Sequence, residues 1–182
     1  MARVPYLNKA DLAPENQDLL TRNINLYRAL AHSPDGMRVF VGLGQYIRFH
    51  SRLDPRLREM AILQVGYCAR SPYEFSHHIK IGRDFGVTDD DIRAIEAETE
   101  GRSTSLAPLE RAVLQAAREL TAQPNLSEAT FAQLRNGLDD ERIVDLVLTI
   151  SFYCGVVRLL AGLQIDVEAD YLHYLQEFPL PV

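Results

Sequence analysis

Residues 71–78, SPYEFSHH, place the groups of a proton-transfer site within two helical turns. Glu74 and His78 stand four residues apart, so on a helix they leave one face and can meet. An imidazole titrates close to neutral pH and can give or take a proton there, and a carboxylate beside it orients the ring and stabilises its protonated form. Glu59, in the preceding apolar run, offers a second carboxylate. If both carboxylates and the histidine share a dry pocket, their proton affinities are driven apart, making an acid and a base from similar groups.

Each of these residues also has a structural reading. Ser71, Pro72 and Glu74 fit the N-cap, N1 and N3 positions of a capping box, a role that Glu74 can combine with proton handling. His78, with Phe75, Ile79 and Phe85 close in sequence, could be a satisfied core histidine, and Glu59 could pair with Arg56, Arg58 or Arg70. His77 is expected as a surface neighbour. The chain's net charge of −6 disfavours nucleic acid and anionic membranes, so an acidic substrate needs a local cationic pocket. Arg158, Arg48, Arg52 and His50 are the candidate cations. Of these, Arg158 and His50 are expected to bind substrate, together with Ser71 at the head of the SPYEFSHH helix.

Several chemistries are disfavoured by spacing. His77 and His78 are adjacent and cannot both ligate a metal from one helical face, and there is no His-x-x-x-His or cysteine-rich set, so no metal is expected. Gly42 and Gly44 follow no strand and complete no nucleotide fingerprint. Nothing resembles a nucleophile elbow around a serine. Cys68 and Cys154 lie in apolar runs, the pattern of buried thiols in a reducing compartment. With no apolar leader in the first residues, a cytoplasmic location is expected.

The elements that must position these groups are helical. In 182 residues, 47% hydrophobic and 24% charged, one domain over 1–182 is expected, with an N-terminal extension over about 1–34. Apolar periodicity and caps predict helices over 13–31, 35–49, 54–69, 71–86, 89–98, 107–122, 127–136 and 140–163, and no strand alternation appears. The apolar stretch 146–157 is shorter than the about 20 residues a membrane span needs and is read as core helix. The fold class is all-α.

The chain also resembles itself. Glu59-Met-Ala-Ile-Leu-Gln-Val-Gly-Tyr-Cys68 aligns with Asp145-Leu-Val-Leu-Thr-Ile-Ser-Phe-Tyr-Cys154, giving repeat copies over about 54–86 and 140–165. In that register Glu74 lies over Leu160 and His78 over Gln164. The second copy keeps a helix and loses the titratable groups, which assigns the chemistry to the first.

Leu57-Arg-Glu-Met-Ala-Ile-Leu63, the Tyr73–His78 motif, the glycines at 82 and 86, and the later run 146–163 together resemble the carboxymuconolactone decarboxylase family of the alkylhydroperoxidase D-like (AhpD-like) superfamily. In the peroxidase-type branch a Cys-x-x-Cys pair separates a glutamate from a histidine. Glu59 and His78 match those two, but Ser71 and Glu74 stand where the cysteines would be. The resemblance therefore implies the decarboxylase-like branch: an AhpD-like helical fold, homo-oligomers built from trimers (trimer or hexamer), and action on a small cyclic or ring-derived carboxylic acid without metal or organic cofactor. Two alternatives remain at this level, an alkylhydroperoxidase-like redox enzyme and a non-catalytic oligomeric binding module of the same fold.

Overall fold

Helix starts organise the molecule, because proline, aspartate, serine and threonine sit where each apolar run begins. The computed structural model describes residues 2–181. Two 3-10 segments, Lys9–Asp11 and Pro14–Thr21, precede α1 (Asn25–Leu30), α2 (Pro34–Phe49), α3 (Pro55–Cys68) and α4 (Pro72–Asp84). They are followed by α5 (Asp89–Thr99), α6 (Pro108–Ala122), α7 (Glu128–Arg135), α8 (Asp140–Leu163), a 3-10 turn at Ala169–Tyr171, and α9 (Leu172–Glu177). No strand occurs among the described residues, in agreement with the all-α expectation. Asp54 caps α3 by accepting the Leu57 N–H at 3.0 Å, Asp139 caps α8 through Arg142, and Thr88 and Asp91 form a reciprocal capping box on α5.

Two expectations fail at the chain ends. The helix expected over 13–31 is broken: Leu20 leaves helical geometry at φ −96°, ψ 49°, and Ile24 is extended before α1 resumes. The reason is tertiary. The Asn25 backbone N–H donates to Glu168 at 2.6 Å and its side-chain amide donates to the Asp166 carbonyl at 3.0 Å, which requires a free helix N-terminus at that point. The second departure is α9, for which the sequence carries no cap signal. It packs against α4, with Arg83 bridging Asp89 and Glu177.

α3 is the hub, packed against α4, α5, α6 and α8, and every residue from Leu57 to Tyr67 is buried. A helix enclosed on all sides has no polar face for its charged residues, so Arg58, Glu59 and Gln64 are buried with the rest. α8 is a single unbroken helix of 24 residues, long and apolar enough by composition to cross a bilayer; 56% of its most apolar window is buried inside the protein, against partners that include α3 and α6. The stretches aligned in sequence lie on this pair. Glu59 on α3 and its counterpart Asp145 on α8 are both buried acids, and Asp145 holds the 51–52 loop through the Ser51 hydroxyl and Arg52 N–H, each at 2.8 Å.

Where α8 runs on, the first copy turns back. Arg70 takes a left-handed conformation at φ 49°, Ser71 N–H donates to the Gly66 carbonyl, and α4 returns along α3. α4 ends at Asp84, with Gly86 at φ 91° beyond it in the position expected of a terminating glycine. Gly66 makes the return possible: a Cβ there would lie 3.2 Å from the Phe75 backbone nitrogen and 3.3 Å from its Cα. Backbone cannot swing aside as a side chain can. Gly66→Ala is therefore expected to lower stability by about 1–3 kcal/mol, measured by urea unfolding, despite alanine's better helix propensity.

Candidate functional site

The α3–α4 hairpin brings Glu59 opposite the face of α4 that carries Glu74 and His78. His78 Nδ1 lies 2.7 Å from Glu59 Oε2, and His78 Nε2 lies 2.9 Å from Glu74 Oε1. Behind Glu59, the Arg58 guanidinium pairs with Glu59 Oε1 at 2.9 Å, donates to the Arg48 carbonyl and stacks over Phe85 at 4.5 Å. Arg58, Glu59, His78 and Glu74 thus form a row of alternating charge, and the three proposed catalytic groups are 1%, 4% and 3% exposed in that order from Glu59. Buried ions are stable only when paired in this way.

The row sets the protonation state of its centre. Burial alone would push the His78 imidazolium to release its proton, but the charges and hydrogen bonds of Glu74 and Glu59 win, raising its pKa from 6.5 to about 9. Burial likewise works to raise Glu59, and His78 and Arg58 override it, holding the carboxyl below its ordinary range. At neutral pH the ring is an imidazolium with both N–H groups facing carboxylates.

Glu74 and His78 form one end of a cavity of about 360 Å³, whereas Glu59 stands behind them and does not line it. Aromatic and aliphatic side chains make most of the wall, among them Tyr27, Phe40, Phe49, Phe152, Tyr153 and Val156. Tyr153 meets the His78 ring edge-on at 5.0 Å, and Phe152 meets Tyr153 in the same manner at 5.3 Å. Burial, with the nearby charges of Glu74 and Glu59, drives the Tyr153 hydroxyl pKa upward, so the phenol stays neutral; Arg48 beside it pulls weakly the other way. Arg22 and Arg48 are the arginines on the wall, and neither forms a salt bridge with a carboxylate among the described residues.

Several sequence expectations are corrected here. The capping box at Ser71 does not form: its side chain makes no cap bond, and Glu74 faces His78 instead. Of the three expected substrate contacts, none is on the cavity wall. Ser71 is buried outside it, His50 is exposed at the C-terminal end of α2, and Arg158 is exposed on α8, donating to the Cys154 carbonyl at 2.6 Å. Arg48, also considered as a cation from sequence, does reach the cavity. Of the possible partners for Glu59, the structure selects Arg58, while Arg56 pairs with Asp91 and Glu110.

His77 is not a surface residue. Its ring is stacked between Tyr73 at 4.0 Å and Tyr171 at 3.7 Å, Nδ1 donates to the Tyr73 carbonyl, and Nε2 lies 3.0 Å from Glu168. Glu168 also accepts from the Tyr73 hydroxyl and the Asn25 N–H, so it ties the C-terminal segment to α1 and α4. Tyr153, Phe152 and Arg22 were not found as cavity residues by sequence reasoning; the repeat alignment of Tyr67 with Tyr153 was the available signal. Cys68 receives the Gln64 amide at 3.1 Å with its thiol pKa raised by burial, Cys154 sits against Thr121, and neither lines the cavity.

Residues 34–119 match the family model described as the carboxymuconolactone decarboxylase family. Among solved structures, the debrominase Bmp8 in complex with 2,3,4-tribromopyrrole superimposes with a TM-score of 0.81 at 20% identity, covering 98% of this chain and 100% of that one. An uncharacterized peroxidase-related protein with an AhpD core from Ralstonia eutropha gives 0.76 at 22% identity over 93% and 94% of the two chains. An AhpD-like protein of unknown function from Agrobacterium tumefaciens gives 0.69 at 21% identity over 78% and 96%. At these identities the likeness is one of fold. No curated protein matches the sequence.

The pH dependence of stability follows from the row. His78 binds its proton more tightly in the folded state, so its contribution is complete below about pH 6.5 and is lost as pH rises through about 9. Glu59, with its pKa lowered, contributes above its unfolded value and loses that contribution as pH falls through its folded one. Urea unfolding should show a loss of about 3 kcal/mol between pH 6.5 and 9.5 that is absent in His78→Gln. A wild-type curve parallel to that of the variant would contradict the assignment. Glu59→Gln should bring the NMR titration of His78 down toward the free-histidine range.

Proposed function

We propose, from the match of residues 34–119 to the carboxymuconolactone decarboxylase family model, that the chain is a carboxy-lyase that removes CO₂ from a small cyclic or ring-derived acid without metal or organic cofactor. The observation that carries this reading is the Glu59–His78–Glu74 row, buried and protonated at its centre, ending at an apolar cavity. In the reaction, the carbon–carbon bond to the carboxylate breaks and its electrons flow into a conjugated carbonyl or lactone of the substrate. The resulting enolate takes a proton on carbon. His78 supplies that proton from Nε2 on the cavity side, with Glu74 moving aside or relaying it, while Glu59 and Arg58 hold the ring from behind. Neutral imidazole between two carboxylates is the less favoured state, so His78 regains a proton from water and is reset.

Arg48 and Arg22 supply the local positive field that an acidic substrate needs to approach a chain of net charge −6. The neutral Tyr153 hydroxyl can donate to the oxygen that receives the electrons, an arrangement most effective where water is excluded. A related fold holding 2,3,4-tribromopyrrole supports a small flat ring as the kind of molecule this cavity admits. Redox turnover by a dithiol is the weaker reading, because Ser71 and Glu74 occupy the positions of the cysteine pair and both thiols of this chain lie off the cavity. The exposed Val39, Phe49 and Val144, at 76%, 65% and 63%, support a homo-oligomer on the α2 and α8 side, and a cytoplasmic location accompanies the proposal.

The test is CO₂ release from a panel of ring-cleavage and lactone acids. Wild type should release CO₂ from at least one, and His78→Gln and Glu74→Gln should each lower kcat by about 10²–10⁴-fold while the substrate still binds. Equal rates for wild type and His78→Gln would remove His78 from the chemistry. Thiol-dependent peroxide consumption lost in Cys68→Ser would replace the proposal with the redox one.

A further inference from the structure

Gly44 lies in the interior of α2, where glycine is less favourable than alanine because it orders more backbone freedom and adds no side-chain contact. Neither usual reason for keeping a helical glycine applies. Its backbone is not in the left-handed region, since Gly86 and Gly101 are the positive-φ glycines among the described residues. Nor is it a close contact, because a Cβ built on it would meet only Phe152 Cε1, at 4.0 Å. What Gly44 does face is the cavity, in a column on α2 with Phe40 one turn before it and Arg48 one turn after.

We infer that Gly44 is the specificity-determining position of this site: its missing side chain leaves the seat for a flat five- or six-membered ring, one helical turn before the guanidinium that meets the ring's anionic oxygen. Phe152, opposite Gly44, is in ring contact with Phe40 at 4.9 Å and with Tyr153 at 5.3 Å, and Tyr153 touches His78 at 5.0 Å. The seat therefore lies along a continuous aromatic wall that ends at the proton donor. Positions i and i+4 are about 6 Å apart along a helix, so the seat and the base of the Arg48 side chain lie one turn apart on the same wall. The carboxylate rests on the lyase reading above; the ring seat does not.

The experiment compares Gly44→Ala with Gly42→Ala, a change on the same helix at an exposed position off the cavity where a Cβ also meets nothing within 4 Å. Both variants should raise Tm, since both replace glycine within a helix. Binding of benzoate, 2-furoate and uncharged benzyl alcohol is then measured by NMR titration. Gly42→Ala should leave every Kd unchanged, whereas Gly44→Ala should weaken benzoate by at least about 10-fold and the smaller 2-furoate by less, as expected where a buried ring is displaced by a methyl. Unchanged Kd values in Gly44→Ala would overturn the inference, and so would a wild-type protein that binds none of the three. Binding of benzyl alcohol but neither carboxylate, lost in Gly44→Ala, would leave the ring seat standing and overturn the carboxylate reading instead.

Discussion

Four charges out of water govern this structure. Arg58, Glu59, His78 and Glu74 are enclosed almost completely, and each is tolerable only because the next has the opposite sign. Neutralising one member leaves its neighbour uncompensated in a low-dielectric interior, which is why the row behaves as a unit. The same constraint fixes the protonation of the centre of the row. A histidine that holds its proton well above neutral pH is a reservoir whose occupancy the surrounding solvent scarcely alters, and Glu74 is the member that connects it to the cavity.

The two stretches aligned by sequence use their buried acids differently. Both supply a buried acid on a central helix, but in the first copy the chain reverses after Cys68, and the returning α4 delivers the imidazole to Glu59. In the second, α8 continues for 24 residues and Asp145 is spent on holding the 51–52 loop. The uninterrupted helix then contributes Phe152 and Tyr153 to the cavity as a wall against which the first copy's histidine packs.

Much of this was legible in the sequence because it is local. Helix boundaries from 34 to 163 follow from Pro55, Pro72, Pro108, Thr88, Ser127 and the acids beside them, and the Glu74–His78 pair follows from helical spacing. Glu59 stood out as an acid in an apolar run and matched the glutamate of the resembling family, and the structure joins it to the same imidazole. What local signals could not supply were contacts between distant segments. Ser71 and Glu74 read as a capping box, but Glu74 turns to His78 one turn on in α4, whose proton Glu59 from α3 helps to hold. His77 read as a surface residue because Tyr171 and Glu168 lie far along the chain. His50 and Arg158 carried the right charge on the wrong faces, while Tyr153 was hidden in an apolar run that reads only as core.

The knot at Glu168 has a bearing on how the fold assembles. It joins Asn25, Tyr73 and His77 to a residue near the end of the chain, and the stretch it fastens, from Arg22 to Tyr27, is one wall of the cavity. That wall docks on α4 through the Leu26 N–H to the Tyr73 hydroxyl, and on residues 166–168 through Asn25, the latter contacts joining segments 141 and 143 residues apart. The charged α3–α4 hairpin is built from residues close in sequence, whereas its enclosure rests on long-range closure, the costlier kind of contact to form.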